Sequence, residues 1–439
     1  MSDVVNRALF TDFYELTMMA GYDAAGMADD VATFDLFFRH PPGGIDQVIL
    51  AGVEQALDDL CALRFGAAEI AYLAQLGRFD EGFLQRLAGQ DFTCDVMAMP
   101  EGTPVFGNEP LIRVTGPLLQ GQWVETLLIN RVAYASLVAS HALAVVTAAR
   151  GKPVLEFGAR RAHGPDGSLT ATRSCVIGGC TGTSNVEAAR QFDLPVSGTQ
   201  AHSWIMAFPS ELDAFRAYAE TFPDSTVLLV DTYDTLAQGV PNAVTVAHEL
   251  AARGHRMQGV RLDSGDLGEL SRGTRAQLDA AGLHDVRIVA SGDLDAAAIT
   301  RLEEAGAPID AYGVGTAMVT ARSDPAFSGV YKVAEVAQRP TLKLSSSPAK
   351  TSNPGRKQVW RTATGDVVGL EDEQHGGRPL LRPALRAGQR VRPAESVHDI
   401  ARRCREEVAA LGRNGHRRAV RLSDGLAVLR NELIERLRS

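Results

Sequence analysis

Cysteine is scarce and scattered in this 439-residue chain: Cys61, Cys94, Cys175, Cys180 and Cys404 are odd in number and form no C-x-x-C pair. This excludes a disulfide framework and a paired-cysteine zinc site, and it predicts a reducing compartment, the cytoplasm. Basic charge is short as well, with 44 Lys plus Arg against 53 Asp plus Glu and a net charge of −9. A general basic surface for gripping nucleic acid is therefore not expected. No apolar run of membrane-spanning length is read along the chain, and the opening MSDVVNRALFTDFYELTMMAGY has an early acid and no apolar h-region. Neither a membrane span nor a leader is expected. The Walker pattern G-x-x-x-x-G-K-[ST] is missing too, which excludes a P-loop.

What is present is ordinary globular material, 45% hydrophobic and 22% charged, long enough for roughly two to three domains. The charge is uneven. Residues 381–439 hold 14 Arg against 7 Asp plus Glu, and a tail carrying Arg402-Arg403 and Arg417-Arg418 reads as a solvated helix face or a subunit contact. In the first part of the chain, Val48, Leu50, Val53, Leu57 and Leu60 recur at near-helical spacing, and Ile70, Leu73 and Leu76 continue the pattern in a second helix. Runs 96–99 and 111–114 are broken by Pro100, Gly102, Pro104, Gly107 and Pro110 and predict strands joined by turns. Residues 118–150 then predict a long helical stretch.

From residue 152 one plan repeats: a short β-rich run, a polar or glycine-rich cluster, then a helix. The runs are 154–157 before GARRAHG, 194–196 before SGTQAHS, 227–230 before DTYDT, 257–260 before RLDSGD, 287–289 before ASGD, and 311–312 before GVGT. Such alternation predicts a parallel sheet, open or closed into a barrel. All six clusters then fall at the carboxyl ends of strands, where parallel α/β folds assemble sites from several loops. Taken singly, a glycine after a strand is often only a turn, and a strand-end Asp or Arg is as readily a structural ion pair. Six clusters on one face favour function.

Their chemistry is mixed. GVGT (313–316) and SGD (291–293) offer backbone N–H groups and hydroxyls suited to phosphate. Asp231, Asp234, Asp263, Asp266 and Asp293 place carboxylates beside them, suited to Mg²⁺ and ribose hydroxyls. Arg160, Arg161 and Arg261 add donors for anionic oxygens. Together these point to a nucleotide or sugar-phosphate substrate.

The strings TDFYELTM (11–18), EFGARRA (156–162), GTSNV (182–186), GTQAHS (198–203), VDTYDT (230–235), VRLDSGDL (260–267), ASGDLD (290–295), YGVGT (312–316) and KQVWR (357–361) resemble those of the nicotinate phosphoribosyltransferase family, in its order. The resemblance implies a type II phosphoribosyltransferase fold: an irregular α/β barrel beside a smaller α/β domain built from both ends of the chain. The corresponding division is 1–150, an α/β domain ending in the long helical stretch; 151–335, the barrel; and 336–439, a polar loop (345–355) and a segment returning to the first domain. The implied reaction joins nicotinate to phosphoribosyl pyrophosphate (PRPP), with ATP hydrolysis and Mg²⁺, giving nicotinate mononucleotide and pyrophosphate for NAD salvage in a cytoplasmic homodimer.

By the same resemblance Phe157 and Tyr14 sandwich the pyridine ring, Tyr14 coming from the partner subunit. Without it both would be filed as core aromatics. Arg160 and Arg261 face the nicotinate carboxylate and the PRPP phosphates. Asp263 holds ribose hydroxyls directly or through metal, with Asp231 beside it. Ser291, Gly292, Asp293, Gly313, Gly315 and Thr316 cradle the 5′-phosphate and sugar, and His202 is the histidine phosphorylated from ATP. Ser184 stands where related nicotinamide enzymes carry Asp, which removes a repulsion against the nicotinate carboxylate. The alternatives are a nicotinamide or quinolinate enzyme, against which Ser184 and the His202 motif count respectively, and a silent paralogue, against which the intact motifs count.

Overall fold

The alternation after residue 152 folds as its pattern requires. In the computed structural model, which describes residues 5–43, 45, 47–345, 350–412 and 418–439, six parallel strands form one sheet. Its order is Gly182–Thr183, Val154–Glu156, Ala311–Val314, Arg287–Ala290, Gly259–Leu262, Val227–Leu229. Between them run helices whose apolar faces pack on the sheet; Phe215, Val246, Leu250, Leu278 and Ile299 are fully or almost fully buried, the arrangement that covers both faces of a parallel sheet.

The expected strand at 194–196 is not one. Val196 makes a single parallel bridge to Thr183, and Pro195, with no N–H to donate, contributes only its carbonyl, to Thr183 N at 3.0 Å. The true edge strand is Gly182–Thr183, within GTSNV. Segment 195–200 instead spans the two edges: Ser197 N donates to Thr183 O at 2.8 Å, and the Gln200 amide donates to Val227 O at 2.8 Å while accepting from Leu229 N at 3.3 Å. That linkage curls the sheet toward a barrel.

Chain contacts divide the molecule into Val138–Pro325, which holds this sheet, and a second unit of Met1–Leu137 with Ala326–Ser439. The first boundary falls inside the Glu125–Ala148 helix rather than at its end, and the second precedes the Gly329–Val336 strand. The second unit is built on a seven-stranded antiparallel sheet in which Val31–Phe38 lies between Gly329–Val336 and Ile112–Pro117. Its core holds Phe34 stacked on Tyr331 with centroids 5.1 Å apart and Phe65 stacked on Trp123 at 4.3 Å.

Two further expectations change here. Val48 and Leu50 do not join the helix of Val53–Ala62, because Val48–Ile49 pairs as a strand with Pro104–Val105. The turn between them is Gly52, at φ 85, where a Cβ would stand 2.3 Å from Arg131 O. Second, the Glu125–Ala148 helix is long and apolar enough to cross a membrane by length and composition, against the expectation from sequence, although 56% of its apolar window is buried inside the protein. Part of the 345–355 loop, and Arg417, lie outside the described residues.

Candidate active site

Glu156 is the organising residue at the carboxyl ends of the strands, and sequence reasoning does not single it out. It is completely buried and accepts from Gly158 N, from Thr172 Oγ1 at 2.9 Å and from Thr183 Oγ1 at 2.6 Å. One carboxylate so holds two strand ends and a helix together. Its signal is an acid ending the short apolar run before Phe157-Gly158, where a solvated residue has no place.

Phe157 lies in the groove this creates. A Cβ on Gly313 would fall 2.5 Å from the Phe157 ring, and one on Gly315 would fall 2.7 Å from the Phe157 carbonyl oxygen. Both glycines are therefore needed to seat the aromatic residue. The Arg261 guanidinium carbon stands 5.6 Å from the ring centroid, within cation–π range.

Arg261 is fixed by three partners. Nε donates to Ser291 Oγ at 2.8 Å, Nη1 to Thr199 Oγ1 at 3.2 Å, and Nη2 to Asp263 Oδ1 at 2.6 Å. Ser291 Oγ in turn donates to Asp263 Oδ1 at 2.5 Å. Burial alone would raise the Asp263 carboxyl, but the Ser291 hydrogen bond and the Arg261 charge outweigh it and hold the group below the ordinary aspartate range. Asp263 is thus a carboxylate at neutral pH, with Oδ2 3.8 Å from His202 Nε2. The other ring nitrogen, Nδ1, lies 3.1 Å from Thr232 Oγ1.

Asp231 supports the same loop from behind. Its Oδ2 accepts from Asp263 N at 2.9 Å and Ser264 Oγ at 2.6 Å, while Oδ1 is buried with no partner among the described residues. Gly292, at φ 90, packs so closely on the Asp263 carbonyl that a Cβ would sit 1.8 Å from the oxygen. Asp293 follows at φ 44, a left-handed conformation uncommon for a residue with a side chain.

The fold therefore brings together Phe157, His202, Asp231, Arg261, Asp263, Ser291, Gly292, Gly313 and Gly315. Asp293 and Ser184 stand on the adjoining loops and Arg160 and Arg161 in the short turn Ala159–Arg161, all four exposed. Thr316 opens the Thr316–Val319 helix, and Ser184 N is tied to Glu156 O at 3.0 Å. Asp234 and Asp266 act differently, each capping a helix by accepting from Ala237 N at 2.8 Å and Glu269 N at 3.0 Å respectively. Tyr14 belongs to the other unit, 47% exposed on the Phe13–Ala24 helix. Thr199 and Thr232 escape sequence reasoning because a threonine beside a glycine or a tyrosine carries no local mark of what it touches.

Beneath these loops lies an open cavity of ≈ 700 Å³ lined by Leu155, Phe157, Thr199, Val227, Arg261 and Val289 among others. It presents a flat ring, a fixed guanidinium and a hydroxyl to one space. Apolar walls with a few convergent polar groups suit a small molecule with a planar part and an anionic part.

Residues 9–133 match the model of the nicotinate phosphoribosyltransferase N-terminal domain, and 153–374 match that of the nicotinate phosphoribosyltransferase family. The chain is 45% identical over 410 residues to a nicotinate phosphoribosyltransferase of Mycobacterium tuberculosis, covering 92% of this chain and 87% of that one. It is 42% identical over 386 residues to that of Bacillus subtilis, covering 85% and 78%. The crystal structure of human nicotinic acid phosphoribosyltransferase superposes with a TM-score of 0.84 at 31% identity, over 96% of this chain and 99% of that one. These matches span both units and every motif of the strand-end loops, and the chain belongs to the nicotinate phosphoribosyltransferase family.

Proposed function

We infer that this chain transfers the phosphoribosyl group of PRPP to nicotinate, forming nicotinate mononucleotide and pyrophosphate in NAD salvage. The observation that carries the reading is the Arg261–Asp263–Ser291 network beside Phe157, of which Arg261 and Phe157 line the cavity. A pyridine ring finds a stacking partner in Phe157. Arg261, already fixed by three bonds, offers charge to an anionic oxygen with little reorganisation on binding. Asp263 Oδ2, facing the open side, accepts from a ribose hydroxyl. Ser184, exposed and uncharged, leaves room for the nicotinate carboxylate. Catalysis then rests on holding the pyridine nitrogen against the anomeric carbon and on countering the charge of the departing pyrophosphate.

Mg²⁺ fits this site as a partner of the substrate. Among the described residues no group of three or more His, Cys, Asp or Glu is placed to hold a metal, while Asp231 Oδ1 is buried and unpartnered and Asp263 Oδ2 is free on one side. One or two carboxylates plus phosphate oxygens is the usual Mg²⁺ arrangement, and the ion would supply charge neutralisation to the pyrophosphate.

ATP is the proposed cosubstrate, phosphorylating His202, whose exposed ring stands beside Asp263. A homodimer is supported by Phe10, Phe13, Tyr14 and Met18, apolar residues 37–50% exposed at or near the N-terminal helix. Five free cysteines agree with a reducing cytoplasm.

The test is pyrophosphate release from PRPP and Mg²⁺ with nicotinate, nicotinamide or quinolinate, each with and without ATP, in wild type and His202→Ala. Nicotinate turnover stimulated by ATP only in the wild type is the expected result. Preference for another acceptor would overturn the substrate reading, and equal stimulation in His202→Ala would overturn the histidine assignment.

A further inference from the structure

A second concave surface, in the other unit, is lined by arginines that the strand-end chemistry does not use. Arg361, Arg378, Arg382, Arg402 and Arg403 surround an open cavity of ≈ 720 Å³. Four elements bring them there: the Lys357–Arg361 strand and its neighbour Arg378–Pro379, the Arg382–Arg386 strand, and the Val397–Leu411 helix. Arg361 and Arg378 are direct cross-strand partners, a placement that repels unless a counter-charge lies between them.

Most of the acids on this wall are committed to individual arginines. Glu407 serves both members of that pair, with Oε2 3.5 Å from Arg361 Nη1 and Oε1 2.5 Å from Arg378 Nη2. Glu395 is paired with Arg403 and Asp399 with Arg402. The Arg382 side chain, exposed at the start of its strand, has no ion pair or hydrogen bond among the described residues. Burial and then the charges of Arg378, Arg392 and Arg403 press its guanidinium below the ordinary range, with Glu395 opposing. Nearby, Arg392 Nε is buried without a partner. Glu406 is the remaining acid of the lining, exposed at the rim.

We propose that this cavity is an anion site for a small multiply charged phosphate or polyphosphate, with Arg382 as its central donor and Arg378 beside it. An unpaired guanidinium facing a hollow and flanked by like charges lacks a planar, bidentate, doubly charged partner. The occupant is small because Glu395, Asp399 and Glu406 ring the cavity and would repel an extended polyanion such as RNA.

The test is equilibrium dialysis of the full-length protein against inorganic triphosphate and, separately, inorganic phosphate. It is carried out in an Arg261→Gln background so that anion binding at the strand-end loops is weakened. Saturable triphosphate binding that Arg382→Gln weakens roughly tenfold or more, with an unchanged melting temperature, is the expected result. Binding absent from the Arg261→Gln protein, or indifferent to Arg382→Gln, would overturn the proposal. So would an Arg382-dependent affinity for a single-stranded RNA oligonucleotide exceeding that for triphosphate. Arg378→Gln gives a second reading should Arg382→Gln fold poorly.

Discussion

Asp263 and Asp366 are both carboxylates held below the ordinary aspartate range in spite of burial that would raise them, Asp263 by Ser291 and Arg261 and Asp366 chiefly by Arg361. Their surroundings differ in one respect. Asp366 is fully buried and saturated: Arg361 Nη2 reaches it at 2.7 Å and Arg418 Nε at 2.7 Å, and the buried acid Glu109 lies against it. Asp263 is 24% exposed and keeps Oδ2 turned toward His202 and the open loops. The same residue types close one network and leave the other unfinished. An unfinished, partly solvated network fixed by its neighbours is what a ligand can complete.

The largest effect that would sharpen this contrast is on stability. Asp366→Ala removes the buried carboxylate that Arg361 and Arg418 share, leaving Arg361 with Glu407 alone as an acid partner, and a loss of about 3 kcal/mol is expected from chemical denaturation; a change below about 1 kcal/mol would show that this network is not structural. Arg261→Lys keeps the charge but loses the fork that joins Ser291, Thr199 and Asp263. Its kcat/KM for PRPP is expected to fall roughly a hundredfold with little change in melting temperature.

Ser184→Asp places a carboxylate where the nicotinate carboxylate is expected. The nicotinate-to-nicotinamide preference should fall roughly tenfold, read from kcat/KM for each acceptor. The smallest expected effect is Glu109→Gln. Burial and the neighbouring Asp366 raise the Glu109 carboxyl well above its ordinary value, so the stability of the protonated form is complete below the unfolded carboxyl range and lost as pH rises through the folded value. Glutamine should remove that decline, seen as a flatter pH dependence of the melting temperature above the ordinary carboxyl range.

Local pattern makes the strand-end half of the molecule legible. A β-rich run followed by a glycine or an Asp marks a strand leaving a parallel sheet, and Asp263 and Gly292 follow their strands as that reading puts them, while Arg261 lies inside its strand and Phe157 just past its own. It fails where a strand is only two residues long, at Gly182–Thr183, and where an apolar run contains Pro195. Asp266 is readable as a cap, since it is followed three residues later by Glu269 at the start of a helix, but its place beside SGD suggests chemistry instead. The antiparallel unit is the harder one. Arg382–Arg386 pairs with Asp95–Ala98, from a distant part of the sequence, and no local periodicity announces a partner that distant. The Arg382 cavity is hidden for the same reason.

The most direct test of the strand-end site is nicotinate mononucleotide formation from nicotinate and PRPP by wild type and Asp263→Asn, measured beside their melting temperatures. A loss of roughly a hundredfold or more in kcat/KM, with the fold intact, is expected. Undiminished turnover in a folded Asp263→Asn protein would contradict the assignment of the chemistry to these loops.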